Sequence, residues 1–372
     1  MAPPVVVLTG PETSLQNTDN NVREMEFNVY DLEPDAAPLT ALMNKMGSKD
    51  AGNPKVEWLE NEAMPRITTL SASASAGATI YGVAADIFRA GDVLRLTTQN
   101  LGLLVTATAA GAITAAAIGA QTSVSASSGS EVFLVSSAVA EGSVLREIKY
   151  PQLVTSSNYC QIVRTEWGVT GTEEATEHYG GNERARLQKF NGIEHARKLE
   201  QMFFFGPRSI TGSQRTCGGL IEFIATFVTA DTGGLLESEW QTFLQSAFRF
   251  GSSSKVAFCS PRALSVIEGY ARANLRVVND NAARYGVKMT TYESGQGTIG
   301  LVKHPDWRDS TTYNGYVVVV DMDAVKERPL RPNKLRQNVQ TPAYDGYQDE
   351  FLAETTLQVI HERRHALLTG VT

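Results

Sequence analysis

The sequence predicts an α+β fold, and three observations lead there. Residues 83–138 hold short apolar strands separated by glycine and serine turns. Residues 173–205 make one long, mostly polar helical run between a start and a stop signal. After Gly206 the chain mixes amphipathic helices with short apolar strands.

Composition narrows the function. At 372 residues the chain has room for two or three domains, each with its own core. Apolar content is 42 % and charged content 20 %, a globular balance. The net charge of −7 makes tight binding to DNA or an anionic membrane a poor expectation, because phosphate neutralisation needs clustered Lys and Arg. Cys160, Cys217 and Cys259 are far apart, which suits reduced thiols in a protein made in the cytosol. The start, Met1-Ala-Pro-Pro-Val5, carries no basic region of a secretion signal. Leu96 to Ser130 has no charge, but Gly102, Gly111 and Gly119 break it, and Leu104-Val-Thr-Ala-Thr108 alternates like a strand, against a membrane span.

Taken in order, residues 1–55 read as an extended, proline-punctuated arm with one short helix, Pro38 to Met46, closed by Gly47. Val56-Glu-Trp-Leu-Glu60 alternates as a strand, and Ser71 to Gly77 is a Ser/Ala-rich stretch expected to be a mobile loop. The β unit at 83–138 follows. Val154 to Trp167 is again strand and is expected to pair with Val56–Glu60, which makes the β unit an insertion at a hairpin tip.

Thr170 and Glu173 have capping-box spacing for the helix at 173–205, and Gly206-Pro207 stops it. Its apolar residues Leu187, Phe190, Ile193, Ala196, Leu199 and Met202 recur every three residues, so the stripe winds around the helix and should meet different partners along its length. Helices are expected at Leu236–Phe250 and Pro261–Leu275. Strands are expected at Val256–Cys259, Gly286–Tyr292, Thr298–Lys303, Tyr316–Asp321 and Thr355–Ile360, and a polar tail ends the chain.

Two motifs imitate chemistry. His361-Glu-Arg-Arg-His365 matches H-E-x-x-H, in which helical histidines hold zinc and the glutamate activates water. Thr356 to Ile360 reads as strand, however, and seven residues after His365 supply no third ligand. A solvated, basic chain end is the plainer expectation. Gly295-Gln-Gly-Thr-Ile-Gly300 matches G-x-G-x-x-G, but it precedes a strand where a dinucleotide site needs a helix, so it reads as a hairpin turn. Neither motif gives an enzyme, a metal or a cofactor. The basic residues Arg184, Arg186, Lys189 and Arg197 on the long helix are candidates for inter-subunit ion pairs.

Several segments together resemble the major capsid proteins of tailed bacteriophages with the Hong Kong 97-type fold, in the subfamily with a β domain inserted in its extended loop. They include Val56-Glu-Trp58, Phe88-Arg-Ala-Gly-Asp-Val-Leu-Arg95, Asn158-Tyr-Cys-Gln-Ile-Val163, Val169-Thr-Gly-Thr172, Gly218-Gly-Leu220, Asp321-Met-Asp-Ala-Val325 and Thr356-Leu-Gln-Val359. The resemblance implies an N-terminal arm (1–55), an E-loop (56–82 and 139–168), a β insertion domain (83–138), a peripheral domain with the spine helix (169–216 and 326–372) and an axial domain (217–325). It implies a virion protein, made in the host bacterial cytoplasm, that self-assembles through hexameric and pentameric capsomers into an icosahedral head enclosing double-stranded DNA. Portal, scaffold and decoration proteins would be its partners, and no membrane. The rival readings are a zinc-dependent peptidase at His361, Glu362 and His365, and a surface carbohydrate-binding module at 83–138.

Overall fold

A computed structural model describes residues 37–75, 79–84, 87–119, 125–177, 181–274, 277–278 and 290–372. The expected arm is therefore seen from residue 37 on, and the strand start at Gly286 lies outside the described residues. The chain forms two compact units, Trp58–Ser156 and the remainder. It enters the smaller unit along β1 (Lys55–Glu60) and leaves along β8 (Val154–Tyr159), and these two strands pair as expected. The strand expected to run on to Trp167 breaks at Cys160, however, and Gln161–Trp167 pairs instead with Asp349–Thr355.

The smaller unit holds a six-stranded antiparallel sheet. Its strands are β2 (Ile67–Thr69), β3 (Ile80–Gly82), β4 (Asp92–Leu96), β5 (Leu101–Ala109), β6 (Ala112–Ala117) and β7 (Glu131–Ser137), in the order β2-β7-β4-β5-β6-β3. Leu94, Leu96, Leu103, Val105 and Ile113 fill its core, each from an alternating strand position. The unit begins earlier than position 83, because β2 and β3 belong to it. Ala74, in the stretch expected to be a mobile loop, is buried and bridges Ala126. Small side chains there allow close packing, a use that composition does not separate from flexibility. Since β1 and β8 pair, replacing residues 61–153 by a short Gly/Ser turn should leave a soluble chain with one cooperative unfolding transition. Aggregation or loss of that transition in circular dichroism would place the boundary elsewhere.

The larger unit is built on two sheets. The first joins β9 (Gln161–Thr170), β18 (Val325–Arg336) and β19 (Gly346–Val359) in the order β18-β19-β9. The second has seven strands, β12 (Val228–Ala230), β13 (Ser254–Cys259), β14 (Val277–Val278), β15 (Thr290–Ser294), β16 (Gly297–Lys303), β17 (Val317–Val320) and β20 (Ala366–Thr369), in the order β12-β20-β17-β13-β16-β15-β14. A small hairpin, β10 (Ser209–Thr211) and β11 (Gln214–Thr216), completes the strands. The helices are α1 (Pro38–Met46), α2 (Gly171–Ala175), α3 (Glu183–Phe205), α4 (Leu220–Phe223), α5 (Glu237–Ala247) and α6 (Pro261–Asn274).

Strand β17 shows how the cores divide. Its four valines are all buried: Val318 and Val320 face the core shared with α1, α3 and β19, while Val317 and Val319 face the one under α5 and α6. A strand covered on both faces reads as a continuous apolar run. The glycine-rich motif is the β15–β16 hairpin turn, with Ser294 opposite Gly297.

Two further expectations need correction. The long helix begins at Glu183, not 173. Thr170 does cap a helix through its Oγ1, 3.3 Å from Glu173 N, but that helix, α2, ends at Ala175. A second cap restarts the chain, with Asn182 Oδ1 accepting from Ala185 N at 3.0 Å. The Gly180-Gly181 pair makes continuous helix costly there. The second correction is the chain end, which is no polar tail. Strand β20 lies inside the seven-stranded sheet between β12 and β17, so the C-terminal residues join the segment assigned to an axial domain.

Candidate functional site

The H-E-x-x-H residues hold structure. They lie on a turn and a strand start, with Glu362–Arg364 in a single 3₁₀ turn, so the histidines do not share a helical face. His365 is fully buried, and its Nδ1 accepts from Asp321 N at 3.2 Å. Burial, helped by the Lys255 charge, pushes its pKa down to about 3. The Glu362 carboxylate accepts from Ala225 N and Thr226 N at 3.0 Å each and ties down the segment before β12. The solvated chain end expected from the sequence is therefore wrong for His365. No group of three or more metal-ligating side chains is present among the described residues.

The buried polar sites are joints. Asn158, fully buried, donates from Nδ2 to Leu357 O (2.7 Å) and Gly218 O (2.9 Å), while its Oδ1 accepts from Gly218 N (2.8 Å) and Tyr159 N (2.9 Å). One amide thus ties the segments at 158–163, 218–220 and 356–359, which are far apart in sequence. All four bonding positions of the amide are used, so it costs little to bury. Where α3 ends, a Cβ on Gly206 would lie 2.3 Å from Cys217 O, and only glycine fits that crossing.

Outward-facing surfaces are the remaining candidates. On α3, Arg184 grips the buried carboxylate of Asp349 with Nε at 2.7 Å and Nη2 at 2.6 Å, and its guanidinium lies 4.7 Å over the Tyr347 ring. Arg197 is held by Asp306 and Glu194. Both side chains are thus engaged within the subunit. Arg186 pairs with Glu183 one turn away and, with Lys189 and Phe190, stays exposed. The winding stripe divides accordingly, with Leu199 and Met202 in the core and Phe190 about half exposed. His178 lies outside the described residues.

The smaller unit has a feature that the sequence reading passed over. Residues 143–153 form an irregular strap turned inside out. Its two basic side chains point inward, while Glu147 stays exposed: Arg146 Nη1 meets the buried Asp92 at 2.7 Å, and Lys149 Nζ donates to Phe88 O at 2.9 Å. Its apolar side chains point outward, with Leu145 95 %, Val144 88 %, Tyr150 80 % and Ile148 78 % exposed. Apolar positions 144, 145, 148, 150 and 153 fit neither a strand nor a helix period, so pattern analysis found no element. A contiguous exposed apolar run is rare on a solitary protein and marks an interaction surface.

Residues 9–372 match the family described as SU10 major capsid protein. A major capsid protein of Pseudomonas phage PaMx41 is 23 % identical over 343 residues, spanning 84 % of this chain and 80 % of that protein. The fold resembles the capsid asymmetric unit of Cyanophage A-1(L) at a TM-score of 0.59 and 9 % identity, covering 97 % of this chain and 100 % of that one. It also resembles a structure of Mycobacterium phage Bobi at a TM-score of 0.52 and 8 % identity, covering 97 % and 99 %. These matches fit the Hong Kong 97-type capsid fold and leave the peptidase and carbohydrate-binding readings without support. This chain, a phage major capsid protein and so a virion component, belongs to the SU10 major capsid protein family.

Proposed function

We propose that copies of this chain close into an icosahedral head shell around double-stranded DNA, through hexameric and pentameric capsomers assembled in the host bacterial cytoplasm. Portal, scaffold and decoration proteins are the further partners this reading expects. The chain works mechanically: each copy contributes several modest contacts, and symmetry repeats them until the shell closes. The observation that carries the reading is the strap at 143–153, whose basic side chains Arg146 and Lys149 are engaged inward while Val144, Leu145, Ile148 and Tyr150 face out. Burying such a side chain against a neighbouring copy gains about 1.5–3 kcal/mol.

Leu145→Asp with Ile148→Asp should leave the circular dichroism spectrum unchanged and raise the concentration needed for shells by at least about 100-fold, roughly 3 kcal/mol. Light scattering and electron microscopy decide it; normal shells from this variant would remove the strap from the interface. On the spine helix, Arg186→Glu with Lys189→Glu should likewise block particles without unfolding the chain, because the repulsion recurs at each symmetry-related contact. Normal shells from that pair would mean that the exposed part of α3 is merely solvated.

A further inference from the structure

The three-stranded sheet β18-β19-β9 has one face turned to α3 and the core, and one turned away. The register fixes the rows on the outward face. Arg331, Lys334 and Arg336 of β18 lie opposite Glu354, Leu352 and Glu350 of β19. Those three lie in turn opposite Ile162, Arg164 and Glu166 of β9. Directly opposed residues share a face.

The two β19 carboxylates are buried under guanidinium groups. Glu354 accepts from Arg331 Nε at 2.7 Å and from Arg215 Nη2 at 3.0 Å. Glu350 accepts from Arg336 Nη1 at 2.7 Å and lies 3.8 Å from Arg164. Each carboxylate thus serves two arginines. Arg331, Arg336 and Arg164 remain about half exposed. Arg328 adds a cation bonded to the neutral Gln358 at 2.8 Å, and Lys326 and Lys334 are exposed and make no ion pair among the described residues. Seven cations therefore face Glu166, Glu350 and Glu354. Neutralising the three carboxylates takes three of the seven cations and leaves four in surplus. Arg331, Arg215, Arg336 and Arg164 are fixed in place by buried carboxylates, which suits recognition of further anions.

The chain carries its own anion. Residues 1–36 contain seven carboxylates, Glu12, Asp19, Glu24, Glu26, Asp31, Glu33 and Asp35, against the single Arg23, a net −6. Residues 37–372 therefore carry only −1 of the chain's −7. Five of the seven acids fall between Glu24 and Asp35. That stretch stops just before α1, whose following residues already run beside β18: Lys49 N donates to Glu327 O, and Ala51 N to Pro329 O at 2.8 Å. An extended 36-residue segment reaches up to about 120 Å, so distance does not forbid the contact.

We infer that the outward face of β18-β19-β9 is the docking site for the acidic N-terminal segment of this chain, residues 24–35 above all. The carboxylates there take the guanidinium edges that Glu350 and Glu354 leave free. The acidic segment also screens the arginine face from other polyanions, duplex DNA first among them.

The test uses the full-length chain, dilute and unassembled, so it stands apart from shell formation. A zero-length carbodiimide, which joins a lysine to a touching carboxylate as an amide, should link Lys326 or Lys334 to acids between Glu24 and Asp35, read by mass spectrometry. Changing those five acids to Asn or Gln should abolish the links. The same variant should gain binding to a duplex oligonucleotide, with a log–log salt slope of about −3 to −4 for the face's surplus cations. Two results would overturn the inference: links from these lysines only to other carboxylates, or an unmodified chain that binds the duplex as well as the variant does. The second would make the face a nucleic-acid site that the acidic segment does not cover.

Discussion

Replacing Glu200 by glutamine is expected to lower the unfolding free energy by about 3–5 kcal/mol, the range for breaking a buried charged pairing. Glu200 is fully buried on α3 and caps a helix it is not part of. Its carboxylate accepts from Leu39 N and Thr40 N at 2.7 Å each and from Thr40 Oγ1 at 2.6 Å, all in the first turn of α1. Helix α1 has no cap of its own, because Ala37 precedes it and Pro38 opens it. The orphan N–H groups of the first turn are thus satisfied by a charge about 160 residues away, where the helix dipole also favours it. His304 Nε2 lies 3.4 Å from the same carboxylate. The amide of glutamine keeps the shape but turns an NH₂ toward backbone donors. Thr40→Val removes one of the three hydrogen bonds and should cost about 1.5–3 kcal/mol. Urea unfolding of the two variants checks this. Equal midpoints for Glu200→Gln and the unmodified chain would show that α1 does not depend on the carboxylate.

Mild acid should destabilise the unassembled chain by about 3 kcal/mol between pH 6.5 and 5, before most carboxylates titrate. Two buried histidines drive this. Burial, with Lys255 nearby, holds His365 at about 3, and burial, with Lys198 nearby, holds His195 at about 4. His365 Nδ1 must stay bare to accept from Asp321 N, and His195 Nδ1 sits 3.1 Å from Thr165 Oγ1. An unfolded histidine takes up its proton near pH 6.5, so as pH falls the unfolded chain binds protons that the folded chain refuses. The stabilisation is complete above about pH 6.5 and is lost progressively toward the folded values, at roughly 1.4 kcal/mol per pH unit for each histidine. His365→Asn keeps an acceptor for Asp321 N and should halve the slope. Urea midpoints measured between pH 7 and 5 test it; a flat profile in the unmodified chain would mean that both rings charge without penalty where they lie.

The sequence by itself determined the elements whose signals are local. Helix α5, helix α6 and strands β13, β16 and β17 lie where periodicity placed them, within a few residues. The pairing of β1 with β8 followed from two strands flanking one insertion. The start of α3 was misread because two cap signals, Thr170 and Asn182, stand twelve residues apart, and the cost of Gly180-Gly181 decides between them. Tertiary structure decided what depends on distant partners. It placed β20 in the middle of a sheet, and so buried His365 just before it, where Asp321 N donates to the ring and burial with the Lys255 charge holds the ring neutral. It turned Arg184 and Arg197 inward onto Asp349 and Asp306, and left Arg186 outside. It also turned the strap at 143–153 apolar side out, because Arg146 and Lys149 found Asp92 and Phe88 O across more than fifty residues. A charged side chain is drawn inward by a buried partner of fixed position, and a local pattern holds no record of that partner.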